Sequence, residues 1–377
     1  MKTVKFFVTP VYPYGNDHYY HEIIGVAEGF AQLGWTITGN CNYWYIPEKK
    51  EYLLKEDVDN KHDIAIYDYR YVRSFEHILF RMGYPNFDSS KIHILVDRND
   101  WIAPIWLNKH YRVFDFIFSG NIYNNVKYPK NVYPWVIGLT QRIINYIDKS
   151  YSDNEPAEEI IGHNFRITHN LRELIFDNLS KKIKKYPLQL CLTESSYKMA
   201  PFISSADADG LYWRQSTGRH NPSYFKLLNS KLLFFSFGGY YEYKPLCYQP
   251  YSVMDKIRRK PYFYYSKLLK KLNKDISPAH FIFQYDNFRF WEILYSRSCP
   301  ISIDLESWNF LLPEMPVNRE HYLGIHKFKF NDFVEYLEAL SINEIKKMGF
   351  KGREWVKKNY SPAAQAKRII TLIENKK

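Results

Sequence analysis

Short apolar runs and helix-spaced apolar stripes alternate along the chain, punctuated by turn residues. Val4–Val8 is an apolar run closed by Thr9-Pro10, which suits a buried strand. After a loop with Pro13, Gly15 and Asn16, His21–Leu33 places Ile24, Ala27, Phe30 and Ala31 at helical spacing, and Gly34 stops the run. Trp35–Thr38, Asp63–Tyr67, Ile92–Val96 and Phe114–Phe118 read as further strands, each ending near a polar residue or a glycine. Between Ile147 and Glu159 the composition turns polar, as in a linker. A second alternation follows: strand Glu159–Gly162, helix Asn170–Leu179, strand Leu188–Leu192 and strand Gly210–Arg214. It continues with helix Pro222–Leu228, strands Leu232–Phe237 and Phe281–Gln284, helix Phe288–Ser296 and strand Pro300–Ile303. Ser361-Pro362 opens a last helix over Ala363–Glu374, with a capping hydroxyl and a proline in its first turn. This alternation predicts α/β structure, with parallel sheets covered by helices.

Length turns that pattern into two domains. The 377 residues exceed what one hydrophobic core usually serves, and the polar break divides them into 1–152 and 153–377. Both halves read as Rossmann-like, yet no Gly-x-Gly-x-x-Gly follows the first strand, which removes the main support for dinucleotide binding. Aromatic residues reach 18%, enough apolar ring area to exclude a disordered chain. Lys+Arg outnumber Asp+Glu by 52 to 40, a formal charge of +12 that points to phosphates, nucleic acid or a membrane surface as partner. Cys41, Cys191, Cys247 and Cys299 lie far apart without a Cys-x-x-Cys pair, against a zinc-cysteine site and a disulfide framework. The N-terminus runs straight into strand-like sequence, and no run of about 18 apolar residues occurs. A reduced, cytoplasmic protein is the expectation.

In open α/β sheets, ligands sit beyond the carboxyl ends of strands, so residues just after strands carry the most weight. The segment from Gln284 to Asp304 joins a polar loop, a helix start and a buried strand entered through Cys299-Pro300. Arg289 and Glu292 are three apart and share one helix face. With the positive helix end, Arg289 suits a diphosphate, and Glu292 suits two ribose hydroxyls. A solvated Arg–Glu pair on a helix surface accounts for the same spacing.

This segment resembles the donor-binding signature of nucleotide-sugar glycosyltransferases of the GT-B architecture. Two branches look similar: exostosin-like bacterial transferases that build surface polysaccharides, and phage DNA β-glucosyltransferases. The matching stretch of the phage enzymes also carries Asp-Asn (here Asp286-Asn287), Arg-x-Trp-Glu (here Arg289 to Glu292) and a strand ending in Ile-Asp (here Ile303-Asp304). The resemblance implies two facing Rossmann-like domains, a final helix over about 361–375 packing back on the first domain, and transfer of a sugar from a nucleotide donor. It implies a phosphate contact at Arg289 and a ribose contact at Glu292, with Asp286 and Asn287 in the same loop. Ile161-Gly-His-Asn-Phe-Arg166 is similar to the opening of the donor domain, making Arg166 and Arg172 phosphate candidates. The block from Ser216, Thr217, Gly218 and Arg219 to Gly238 and Gly239 resembles the wall of the base pocket and its ligand-facing glycine turn. The Tyr- and Lys-rich stretch from Tyr240 to His280 departs from the compact pattern as an insertion.

The first domain would present the acceptor. Leu95-Val-Asp-Arg-Asn-Asp100 ends a strand with carboxylates, and an inverting transfer needs a base at the acceptor hydroxyl. The phage enzymes carry an aspartate at the end of the similar strand, which favours Asp97, with Asp100 as the alternative; a strand-end aspartate capping a turn is the plainer reading of each. His18 and His21 flank two tyrosines next to the loop after the first strand and are read as acceptor contacts, with plain capping as the alternative, since a third metal ligand is missing. Asp57/Asp59 and Asp207/Asp209 form two-residue matches of a kind chance supplies. No essential metal and no cofactor are expected; a nucleotide sugar, first of all a UDP-sugar, is the co-substrate. Basic clusters at 181–185, 256–260, 267–271 and 346–358 exceed what a diphosphate needs. They suit a glycan acceptor (surface polysaccharide or lipid-linked glycan) at an anionic membrane face, with hydroxymethylated DNA, or a glycan- or nucleotide-binding protein without transfer, as alternatives.

Overall fold

The computed structural model describes residues 2–9, 20–59, 61–72, 88–97, 109–150, 157–165, 169–191, 222–243, 280–283 and 285–376, with 257, 260, 261, 264 and 268 besides. Two parallel sheets organise it. The first is built from β1 (Thr3–Phe7), β2 (Thr36–Gly39), β5 (Ile64–Asp68), β6 (Ile92–Asp97), β7 (Phe116–Ser119) and β8 (Val132–Pro134), in the order β2-β1-β5-β6-β7-β8. Helix α1 (His21–Gln32) follows β1, and a hairpin of β3 (Tyr43–Ile46) and β4 (Glu51–Leu54) follows β2. The second sheet has β9 (Glu158–His163), β10 (Leu188–Leu190), β11 (Lys231–Phe235), β14 (Cys299–Ile303) and β15 (Leu323–Ile325), in the order β10-β9-β11-β14-β15. All five residues of β11 and of β14 are buried, as expected of strands covered on both faces.

Helices α2 (Gln141–Ser150), α3 (Asn170–Leu179), α4 (Pro222–Ser230), α5 (Phe288–Tyr295), α6 (Phe330–Ala339) and α7 (Ile342–Tyr360) belong with the second sheet. Helix α2 precedes the expected boundary at 152, yet its Ile143 and Ile147 join the second core, alongside Phe225 and Leu228 of α4. A two-stranded antiparallel ladder, β12 (Tyr240–Tyr243) against β13 (His280–Phe283), closes the base of the long 240–280 stretch. Asn170, the first residue of α3, ties this ladder down: its side-chain oxygen accepts from the Tyr241 N–H at 2.9 Å and its amide donates to the Tyr241 carbonyl at 2.6 Å. The strand candidate Gly210–Arg214 lies outside the described residues. No helix among the described residues is long and apolar enough to cross a membrane.

The carboxyl edges of the two sheets face each other. The loop after β7 meets the segments after β13 and β14: the Tyr123 hydroxyl donates to the Ile282 carbonyl at 2.7 Å, and Leu311 and Asn124 pair with Ile122 and Asn309 through backbone bonds. The rings of Tyr285 and Phe310 stack at 3.7 Å in the same seam. Helix α8 (Pro362–Lys376) then crosses back, and its Ala366, Ile369 and Ile373 enter the core of the first sheet against α1. This is the two-unit, returning-helix architecture that the GT-B resemblance implies.

Two glycines set the approach of α1 to its neighbours. A Cβ on Gly25 would stand 2.9 Å from the Leu139 carbonyl oxygen, and one on Gly29 would overlap the Pro362 carbonyl and lie 2.8 Å from Ala366 Cβ. Alanine in a helix interior normally stabilises by about 0.5–1 kcal/mol over glycine. At Gly29 the overlap reverses the sign: Gly29→Ala should cost about 1–3 kcal/mol in urea unfolding, the range of an overpacked core.

Glu28 lies on the same helix, and its Oε2 accepts from the Gln141 N–H at 2.6 Å, at the start of α2. Burial pushes its carboxyl up to about 7 from 4.5, outweighing that bond and the Arg142 charge. The folded protein therefore holds a proton there that the unfolded chain releases, a stabilisation present below pH 4.5 and lost as pH rises through about 7. Relative to Glu28→Gln, the wild-type chain should lose stability between about pH 5 and pH 7.5, read from urea midpoints at both values.

Candidate active site

The strand order of the second sheet reverses between β9 and β11, where successive connections leave in opposite directions and open a crevice at the carboxyl ends. Asn164 and Phe165 follow β9, and Ser236 to Gly239 follow β11. Gly239 has φ +85, a conformation that favours glycine, and it turns the chain from the crevice into β12. Gly238 is buried beside it.

Helix α5 starts at this crevice because Asn287 caps it, accepting from the Phe290 N–H at 3.2 Å, while the Ser236 hydroxyl donates to the same oxygen at 3.3 Å. The cap so joins β11 to α5 and aims the positive end of the helix dipole at the crevice. Asp286 is engaged by the scaffold: one carboxylate oxygen accepts from the Trp291 indole at 2.6 Å, the other from the Ile137 N–H at 2.7 Å.

Two arginines converge here from different helices. Arg172, on α3, donates Nε–H to the Phe237 carbonyl at 2.9 Å and lies against the Phe165 ring. Arg289, on the first turn of α5, donates Nε–H to Asn164 Oδ1 at 2.5 Å and a terminal N–H to the Asn164 carbonyl at 3.3 Å. Burial, and secondarily the Arg289 charge, bring the Arg172 guanidinium down to about 10. A crevice holding two guanidinium groups would gain from an anion between them. Glu292, one turn further along α5, is buried and accepts from the Tyr224 hydroxyl at 2.7 Å.

Across the cleft, Asp97 is the last residue of β6 and is buried; its Oδ2 accepts from the Ser119 hydroxyl at 2.9 Å. His21 requires a correction. It is fully buried, bonds through Nε2 to the Gly138 carbonyl at 3.0 Å and packs edge-on against Phe288 at 5.0 Å. It joins α1 to α5, because this end of α1 is covered by other elements, and cannot reach an acceptor from there. Asp57 Oδ1 accepts from the Asp59 N–H at 2.8 Å, a local turn. His18, Asp100, Arg166, Ser216, Thr217, Gly218, Arg219 and the Asp207/Asp209 pair lie outside the described residues. Sequence reasoning passed over Asn164 and Tyr224, although both fall in the segments it marked. It also passed over Asp68, buried at the end of β5, where the first sheet reverses its order beside β1.

No protein-family model matches the sequence, and no curated protein matches it. Among solved structures the chain is similar to TarM, at 11% identity and a TM-score of 0.42 over 82% of this chain and 54% of TarM, so that it spans about half of TarM's length. A mutant of S. aureus TarM in complex with Fondaparinux, alpha-GlcNAc-glycerol and UDP gives 10% identity and a TM-score of 0.44, with 82% and 55% covered. A glycosyltransferase from Rickettsia africae ESF-5 gives 12% identity and a TM-score of 0.48, covering 99% of this chain and 98% of that one.

Pyrophosphate should stabilise the protein against heat by about 2.7 kcal/mol at a hundredfold excess over its dissociation constant. The shift should vanish in Arg172→Ala and Arg289→Ala and shrink with added salt, both read from thermal melts.

Proposed function

We propose that this chain is a GT-B-type glycosyltransferase that moves a sugar from a nucleotide donor, first of all a UDP-sugar, to the hydroxyl of a glycan acceptor. The observation that carries this reading is the meeting of Arg172 and Arg289 at the crevice of the second sheet, above the capped start of α5, with Glu292 one turn on. The arginines and the helix end take the diphosphate, Glu292 takes the ribose, and the turn at Gly238 and Gly239 lets backbone amides approach the donor. An acceptor hydroxyl oxygen forms the new bond to the anomeric carbon while the bond from that carbon to the β-phosphate oxygen breaks. The nucleoside diphosphate leaves with the electron pair, and the acceptor proton passes to Asp97. Charge on the departing diphosphate is met by guanidinium groups, so no metal is needed in this scheme.

Exposed apolar residues favour a lipid-linked glycan at an anionic membrane face over DNA. Ile257, Tyr264 and Leu268 are 51%, 67% and 53% exposed, within a segment that also carries Arg258, Arg259, Lys260, Lys267, Lys270 and Lys271. A duplex asks for cations alone, whereas a bilayer surface takes cations and apolar side chains together.

The test is transfer of labelled sugar from a panel of nucleotide sugars to lipid-linked glycan and, in parallel, to hydroxymethylated DNA. Transfer to the glycan is expected. Asp97→Asn should lower kcat by about 10²–10⁴ while UDP affinity stays within about twofold, the signature of a lost base. Transfer to DNA alone would replace the acceptor, and donor binding without transfer would reduce the protein to a binding module.

A further inference from the structure

Helix α7 is held along one side and open along the other. Its buried residues, Ile345, Met348, Gly349, Gly352, Val356 and Tyr360, recur every three or four positions, and the helix packs on α5 and β14. A Cβ on Gly349 would stand 3.2 Å from the Arg297 carbonyl oxygen, and one on Gly352 would overlap the His321 carbonyl, so backbone meets backbone on this side. The Ser341–Glu344 capping box fixes where the helix starts. Two cations along it pair with carboxylates of other segments, Lys351 with Glu320 at 2.8 Å and Arg353 with Asp148 at 2.6 Å. The helix is therefore locked in rotation, and its outer face is displayed in a fixed order.

Phe350 stands on that face, 65% exposed. Lys346 and Lys347 lie four and three residues before it, and Lys357 and Lys358 seven and eight after it, spacings that put all five on the same side. All four lysines are exposed, and Glu354 is the one carboxylate on the helix beyond its cap. We propose that the outer face of α7 docks on an anionic lipid surface, with the lysines on phosphate headgroups and the Phe350 ring entering the boundary between headgroups and acyl chains. Lying flat, the helix offers about 18 Å of contact between Lys346 and Lys358. Nucleic acid presents the same phosphates but leaves the ring in water, and a second copy of this chain would set lysine against lysine. The inference rests on the reading of a membrane-borne acceptor and adds to it a surface separate from the 256–271 segment. Because α7 packs on α5, whose first turn carries Arg289, docking through α7 sets the crevice at a fixed height above the bilayer.

The experiment is co-sedimentation of the full chain with vesicles of phosphatidylcholine alone and of equal parts phosphatidylcholine and phosphatidylglycerol. Binding to the mixed vesicles that weakens with added salt is expected. One lysine at an anionic surface contributes about fivefold in partitioning, so Lys346→Ala, Lys347→Ala, Lys357→Ala and Lys358→Ala combined should lose about a hundredfold or more. Phe350→Ala should lose about fivefold, the scale of a ring partly withdrawn from water, and Phe350→Trp should bind at least as tightly as wild type. All of these positions are exposed, and melts alongside keep the comparison to folded protein. Partitioning within about twofold of wild type in the four-lysine variant, or in Phe350→Ala, overturns the inference and leaves the reading of the acceptor and the donor intact. A wild-type chain that binds neither vesicle overturns the membrane-borne acceptor as well, while calorimetric titration with UDP reports on the donor site separately. Duplex DNA bound as tightly as the mixed vesicles, with Phe350→Ala neutral toward both, assigns the face to nucleic acid and overturns the proposal. A dimer that Phe350→Ala dissociates, read by sedimentation velocity, assigns the face to a second copy and overturns it too.

Discussion

Both oxygens of the Asp286 carboxylate are committed to holding the molecule together, and the site depends on that commitment. One side accepts from the Ile137 N–H, in the segment leading from β8 to α2; the other accepts from the Trp291 indole on α5. The next residue, Asn287, caps α5 and reaches Ser236 beyond β11. A single loop so fixes where the first unit ends, where α5 begins and how β11 meets it. Ionic acceptors form stronger hydrogen bonds than neutral ones, and burying an unanswered amide or indole N–H would cost about 1–3 kcal/mol. Leu139 extends the seam: its N–H donates to the Tyr360 carbonyl, and Gln365 donates to both the Leu139 and Tyr360 carbonyls. The returning helix α8 is therefore bonded to the same connecting segment that Asp286 holds.

Against this seam, the crevice at β9 and β11 brings two arginines together. Arg172 is half-buried and depressed toward 10 by burial and by Arg289. Among the described residues, Arg172 donates to a backbone carbonyl and Arg289 to an asparagine oxygen. Neutral acceptors orient a guanidinium without cancelling it. The Glu292 carboxylate accepts from a tyrosine hydroxyl. Two guanidinium groups this close would be complementary to the doubly charged group of the proposed donor.

Periodicity revealed the architecture because a buried parallel strand and an amphipathic helix differ so clearly in pattern: β1, β5, β6, β11 and β14 fall within a residue or two of the runs that predict them. Elements with diluted patterns escaped. Helix α7 carries its capping box in plain sequence, Ser341 with Glu344, but six lysines and arginines along it read first as a basic patch. Strand β8 has three residues and includes Pro134, which suits the sheet edge it occupies and hides it from a propensity reading. Spacing placed Arg289 and Glu292 on one face of a helix, and local rules reach no further. Asn164 and Tyr224 lie 125 and 68 residues away from Arg289 and Glu292, so only the folded chain brings each to its partner. His21 misled for a related reason: polar residues in a loop beside a strand end look available, and nothing local reveals that α5 and the Gly138 segment cover this one.

The surplus of positive charge divides once the fold is known. Lysines at 181–185 are partly used within the protein: Lys185 donates to the Glu338 and Leu340 carbonyls at the end of α6, while Lys182 bonds to Asn331. Cations at a helix carboxyl end complement its dipole, so this cluster serves α6. On α7, Lys351 and Arg353 pair with Glu320 and Asp148, whereas Lys346, Lys347, Lys357 and Lys358 stand exposed. Exposed pairs contribute little to stability, and an exposed lysine row contributes less, so stability does not explain retaining it. With the 181–185 cluster packed on α6, the basic sequence outside the crevice is concentrated on α7 and in the 256–271 segment. Both regions also expose apolar side chains, Phe350 on α7 and Ile257, Tyr264 and Leu268 in the segment, a combination that a bilayer surface would meet better than a nucleic acid would.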